Sequence, residues 1–194
     1  MKKIIIYVLC IFTISCASIP NFDKVRGNSG QNIAIAGMSF IPSGDIVWDI
    51  VKQHTYQAIL FNKNKDETLI TVIETFNLSE EINKENFLSF IKDREKKAPK
   101  TGRYERITEF INSYNHKGAT CVKHIASSKD YGAKRDGQYT IFEVYGMYCI
   151  HPNNNNIGLF IQLSRKAPFD QKNQLFKQLG QDLLDSIVFK SYKI

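Results

Sequence analysis

The sequence predicts an α+β domain in which an antiparallel sheet is flanked by two amphipathic helices. Two observations carry this. Short segments rich in β-branched and aromatic residues recur between turn-forming clusters, as strands do. Thr68 to Phe76 (TLITVIETF) is the clearest of them. The apolar period shifts towards about 3.6 in two places, one mid-chain and one near the C-terminus, which places two helices against a run of strands.

Taken in order, Ile33 to Ile41 reads as a strand ended by the turn Pro42-Ser43-Gly44. Trp48 to Val51 and Tyr56 to Asn62 read as two more, and residues 62–67 turn the chain into Thr68 to Phe76. Asn83 caps a helix that runs to Lys96, with Phe87, Phe90 and Ile91 on one face. Tyr104 to Tyr114 and Ala119 to Ala126 are strands joined by a turn at Asn115 to Gly118. The charged segment Ser127 to Gly137, with Lys129, Asp130, Lys134, Arg135 and Asp136, reads as a loop. The long strand Tyr139 to Ile150 follows, and the asparagine run 153–156 turns it into Ile157 to Ser164. Asp170 to Ser186 is a second helix, with Leu175, Leu179, Leu183 and Ile187 four apart, and its Gly180 marks close packing on the sheet. Ile187 to Phe189 closes the domain as a short strand.

Before this domain stands a different kind of segment. Met1-Lys2-Lys3 is basic and Ile4 to Ile14 is apolar, the charged and hydrophobic regions of a secretory signal. The apolar run is about 11 residues, against the roughly 20 that span a bilayer. Thr13-Ile14-Ser15-Cys16 resembles a bacterial lipobox, with Thr13 where such motifs most often carry Leu. The resemblance implies a signal peptide of residues 1–15 and a palmitate-type acyl anchor on Cys16 that holds the protein to the lipid bilayer. Ala17 after the cysteine implies the outer membrane, facing the periplasm. Residues 16–32 read as a lipidated tether and 33–194 as a single globular domain. The net charge of +7 becomes about +5 once Lys2 and Lys3 are removed, a modest excess that suits solubility, and an exported protein rarely meets nucleic acid.

Cys121 and Cys149 are the cysteines left beyond the signal. In an exported chain they suit a disulfide, with free buried thiols as the alternative. If their strands form a hairpin through residues 127–137, opposing the two cysteines centres it at residue 135, inside that loop. Cys149 and His151 share a strand face at about 6.8 Å, too far for a thiol–imidazole hydrogen bond. The histidines, His54, His116, His124 and His151, carry no metal-binding spacing, and no nucleophile or phosphate-loop motif occurs. No catalytic residue, metal site or cofactor is therefore expected. Tyr139 and Tyr145 share one face of the long strand, and with His151 they make a candidate binding surface.

The order of elements resembles the Mog1/PsbP-like fold, which includes DcrB-type bacterial lipoproteins. The matching features are the early strand with its Pro-Ser-Gly turn, the strands from Tyr56 to Phe76, the mid-chain helix, and the closing series MYCIHPNNNNIGLFIQLSRKAP, helix, LLDSIVF. The resemblance covers Ile33 to Phe189 and implies an α/β/α sandwich with an adaptor or assembly role. The expected function is a membrane-anchored, non-enzymatic module that binds or helps assemble another envelope component. A small-ligand or glycan-binding lipoprotein is the alternative.

Overall fold

The computed structural model describes residues 22–97, 102–132, 138–168 and 174–191. The signal segment, Cys16, the loop charges Lys134, Arg135 and Asp136, and residues 170–173 of the expected second helix lie outside the described residues.

In chain order the elements are β1 (Asp23–Arg26), β2 (Ile33–Ile35), β3 (Met38–Phe40), β4 (Val47–His54), β5 (Gln57–Lys63), β6 (Thr68–Asn77), α1 (Phe87–Lys97), β7 (Tyr104–His116), β8 (Ala119–Asp130), β9 (Thr140–His151), β10 (Asn154–Pro168), α2 (Gln174–Ser186) and β11 (Val188–Phe189). Eight strands make one antiparallel sheet in the order β1-β4-β5-β6-β10-β9-β8-β7, and β11-β3-β2 make a small second sheet. The expected α+β layout, a sheet between two helices, is the one found.

Strand alternation decides what each face carries. On β8 and β9, Cys121, Tyr145, Met147 and Cys149 point to the α2 side, where they join Trp48, Leu159, Ile161, Leu183 and the small sheet in the main core. Their neighbours Val122, Tyr148 and Ile150 point the other way and pack against Phe87 and Ile91 of α1. Burying each large apolar side chain contributes about 1.5–3 kcal/mol. Gly180 lets α2 lie close on the sheet, because a Cβ there would stand 2.5 Å from the Tyr145 ring.

The β8–β9 hairpin has Cys121 directly opposite Cys149, and the two are bonded. At the same end of β8 as the disulfide, Lys117 (φ 50°) and Gly118 (φ 83°) make the two-residue turn from β7. Positive φ at both positions matches the twist of the paired strands. From that turn the Lys117 ammonium donates to the carbonyls of Asp185 (2.6 Å) and Ile187 (2.7 Å). It thereby satisfies backbone acceptors at the negative end of α2.

Several boundaries differ from expectation. Within the expected tether of residues 16–32, Asp23–Arg26 form β1, which pairs with β4 and buries Val25. Ile33 to Ile41 is a hairpin rather than one strand, because Gly37 (φ 79°) reverses the chain between β2 and β3. The Asn83 side chain accepts the amides of Glu85 and Asn86 in a turn ahead of α1, and the helix itself begins at Phe87. Ser127 to Asp130 continues β8 instead of looping, with Ser128 and Asp130 buried. The asparagine run is mostly strand, since β10 starts at Asn154.

Cross-linking a loop of this length stabilises a chain by about 3–4 kcal/mol in the chain-entropy account. The Cys121→Ala/Cys149→Ala double variant is expected to keep its circular dichroism spectrum and to lose about 3 kcal/mol of unfolding free energy in urea.

Candidate binding face

An 11-residue helix such as α1 is about 16 Å long, whereas the 12 residues of β9 run about 40 Å. So α1 covers one end of its face and leaves the rest open. The uncovered part is a trough of about 1030 Å³, walled by the last turns of α1, the segment before β7, and β7 itself. Ala126, Phe142 and Val144 form its apolar floor.

Charged clusters mark the trough on both sides of that floor. Towards α1, His124 of β8 lies between Glu95 of α1 and Glu109 of β7. Its Nδ1 is 3.9 Å from a Glu95 oxygen and its Nε2 is 3.4 Å from a Glu109 oxygen. His124 is 5% exposed, and its Nε2 is buried without a hydrogen-bond partner. Glu95 also accepts the Tyr148 hydroxyl at 2.6 Å, and Glu109 accepts Arg106. Burial first, and then Glu95, pushes the Tyr148 hydroxyl far above the ordinary tyrosine range, so it stays a donor.

Away from α1, the Asp130 side chain is fully buried and accepts Arg103 (2.6 and 2.9 Å), Lys166 (2.7 Å) and the Gly132 amide (2.9 Å). Arg103 lies over the Tyr104 ring at 5.0 Å, and Tyr104 leans on Phe142 at 5.4 Å. A second buried ion cluster is on the opposite face, where Arg165 donates to Glu67 (2.7 Å) and Glu143 (2.8 Å).

Beside the trough, β7 is an edge of the large sheet. Most of its 13 residues are exposed, including Tyr104, Ile107 and Phe110 at nearly half of their surface each. The register shifts between Arg106 and Thr108, so Ile107 bulges, and the pairing with β8 is regular from Thr108 to His116.

The binding surface expected on the long strand is not there. Tyr145 is buried beneath α2, its hydroxyl donating to Gln181 at 2.8 Å. His151 is fully buried. Its Nδ1 accepts the Asn153 amide, so Nε2–H donates to the Gly37 carbonyl at 3.0 Å. Both lie in a central strand whose α2 face is closed by a helix and a second sheet. Tyr139 precedes β9, half-buried, edge-on to Tyr131 and under Lys129. Cys149 is held in the disulfide, so it offers no thiolate to His151. The Glu95, Glu109 and His124 cluster was invisible in the sequence because each residue comes from a different element, with no local spacing. The available signal was His124, a polar residue on the face opposite Cys121.

No protein-family model matches the chain, and no curated protein does. Among solved structures it is similar to the solution structure of cyanobacterial PsbP (CyanoP) from Synechocystis sp. PCC 6803. The identity is 11% and the TM-score 0.41, over 93% of this chain and 99% of that one. At that score the likeness carries neither partner nor activity across. No described helix is long and apolar enough to cross a membrane.

Arg103 first, then Lys166 and the Gly132 amide, holds the Asp130 carboxyl well below the usual carboxylate range. A carboxyl depressed on folding adds stability above its unfolded pKa of about 4, and that stability is lost as pH falls towards the folded value. Asp130→Asn is expected to cost about 2 kcal/mol at neutral pH. Urea unfolding at stepped pH should then show a flatter loss of stability between about pH 5 and 2 than in the wild type.

Proposed function

We propose that this chain is an exported, lipid-anchored, non-enzymatic module that binds another envelope component, with the β7 edge as its docking line. One observation carries the reading. β7 offers a long, exposed strand, regularly paired from Thr108 to His116, whose outer edge has no strand neighbour among the described residues, with Phe110 and the bulged Ile107 exposed. Such an edge is a template for an added strand from a partner, whose side chains would be read by the exposed apolar groups. The partner class is an extended segment of another envelope protein.

The lipid anchor rests on the lipobox resemblance at Cys16, and the outer membrane facing the periplasm rests on Ala17. The Cys121–Cys149 disulfide supports an oxidising compartment. Two to three acyl chains at about 0.8 kcal/mol per buried CH2 would hold the domain at the bilayer, within reach of envelope partners.

The test is a cross-linking pull-down of full-length protein from its native envelope. The wild type is expected to recover one envelope protein. Ile107→Lys/Phe110→Lys is expected to lose it about tenfold, the scale of one or two buried apolar contacts. Cys16→Ala is expected to shift the chain from the membrane to the soluble fraction. Equal recovery by the edge variant refutes β7 as the docking line, and an unchanged membrane fraction for Cys16→Ala refutes the anchor.

The trough favours a second reading, a small-ligand or glycan-binding lipoprotein. Its volume suits a small molecule, and the Tyr104 and Phe142 rings offer a stacking surface. That reading expects a small molecule to appear in native mass spectra of the purified protein and to be absent from Tyr104→Ala.

A further inference from the structure

We propose that Glu95, Glu109 and His124 form a binding site for one divalent transition-metal ion of the zinc class at the α1 end of the trough. No local spacing in the sequence marks it, and the site depends on three elements meeting. One ligand atom from each residue lies within 4.8 Å of those from the other two. The set, one imidazole nitrogen and two carboxylate oxygens, is borderline in softness and suits Zn2+ better than the oxygen-seeking Mg2+ or Ca2+.

Carboxylates alone would be weak grounds, and the histidine supplies the independent observation. His124 is 95% withdrawn from solvent, and its buried Nε2 makes no hydrogen bond. A buried polar nitrogen without a partner is costly and calls for a ligand. A charge-assisted hydrogen bond to Glu109 would close to about 2.7–2.9 Å. The observed Nε2 to Glu109 separation is 3.4 Å, and Nδ1 stands 3.9 Å from Glu95. Tetrahedral ligands held about 2.1 Å from a zinc ion stand about 3.4 Å apart, so Glu109 and Nε2 are already spaced for an ion, and Glu95, which faces Nδ1, turns towards Nε2 to complete the set.

The surroundings act as an outer shell. The Tyr148 hydroxyl donates to one Glu95 oxygen and leaves the other facing His124, while Arg106 donates to the same Glu109 oxygen that stands nearest Nε2, which keeps a lone pair for an ion. Such partners fix ligand orientation. Three protein ligands leave the fourth position for water or a donor arriving through the trough.

The probe is ZnCl2 titrated calorimetrically into the full chain, purified without an oligohistidine tag and with Cys10 and Cys16 alkylated. One ion per chain is expected, with affinity falling as pH drops, because ligation needs a neutral imidazole. His124→Gln and Glu109→Gln should each weaken binding at least tenfold, while His54→Gln, an exposed histidine on β4, leaves it unchanged. Glu109 lies on the exposed edge strand, so its substitution keeps the test valid should His124→Gln fail to fold. Absence of stoichiometric uptake by the wild type, or wild-type uptake by Glu109→Gln, overturns the proposal. Neither result bears on β7 as a docking line, which the pull-down reads separately.

Discussion

The register between β8 and β9 governs most of this structure. With Cys121 opposite Cys149 and bonded to it, every other pair along the hairpin follows, from Val122 against Tyr148 to Asp130 against Thr140. A slip of one residue would either turn Met147 and Tyr145 towards α1 or drive His124 into the main core. The disulfide therefore does more than shorten the unfolded chain. It pins the register in which one row of side chains meets α1 and the other meets α2.

From that register follows a division of labour between the two faces. The α2 side is closed by a helix, which Gly180 allows to sit against Tyr145, and by the small sheet, whose Gly37 carbonyl receives His151. Among the described residues, the helical cover of the α1 side lies where Phe87 and Ile91 reach Val122, Tyr148 and Ile150. The remainder of that face keeps polar groups that a packed core would exclude. Asp130 is tolerated there because two cations and an amide surround it. His124 is the exception, buried with an unanswered nitrogen between two acids. The trough thus lies on that face, beside the β7 edge.

How far residues alone could go is clear from particular elements. Thr68 to Phe76 and the leucine repeat of α2 were legible because local periodicity reflects burial directly. The pairing of Cys121 with Cys149 was permitted by simple hairpin arithmetic. Ser127 to Asp130 was misread as a loop, since its polar residues hide a strand in which Arg103 and Lys166 neutralise Asp130 and Glu105 pairs with Lys129, all distant in the chain. Tyr145 was misread as a surface residue, since an aromatic with a hydroxyl suits core and surface alike.

What the sequence determined by itself is the α+β class, the positions of both helices and the expectation of an exported, lipid-bearing chain. These are properties of short windows, in which a few neighbouring residues carry the whole signal. The tertiary structure decided which face stays open, where the free strand edge lies, and that Glu95, Glu109 and His124 meet. Those depend on strand order and on the length of α1 relative to β9, which bring together residues that share no local pattern.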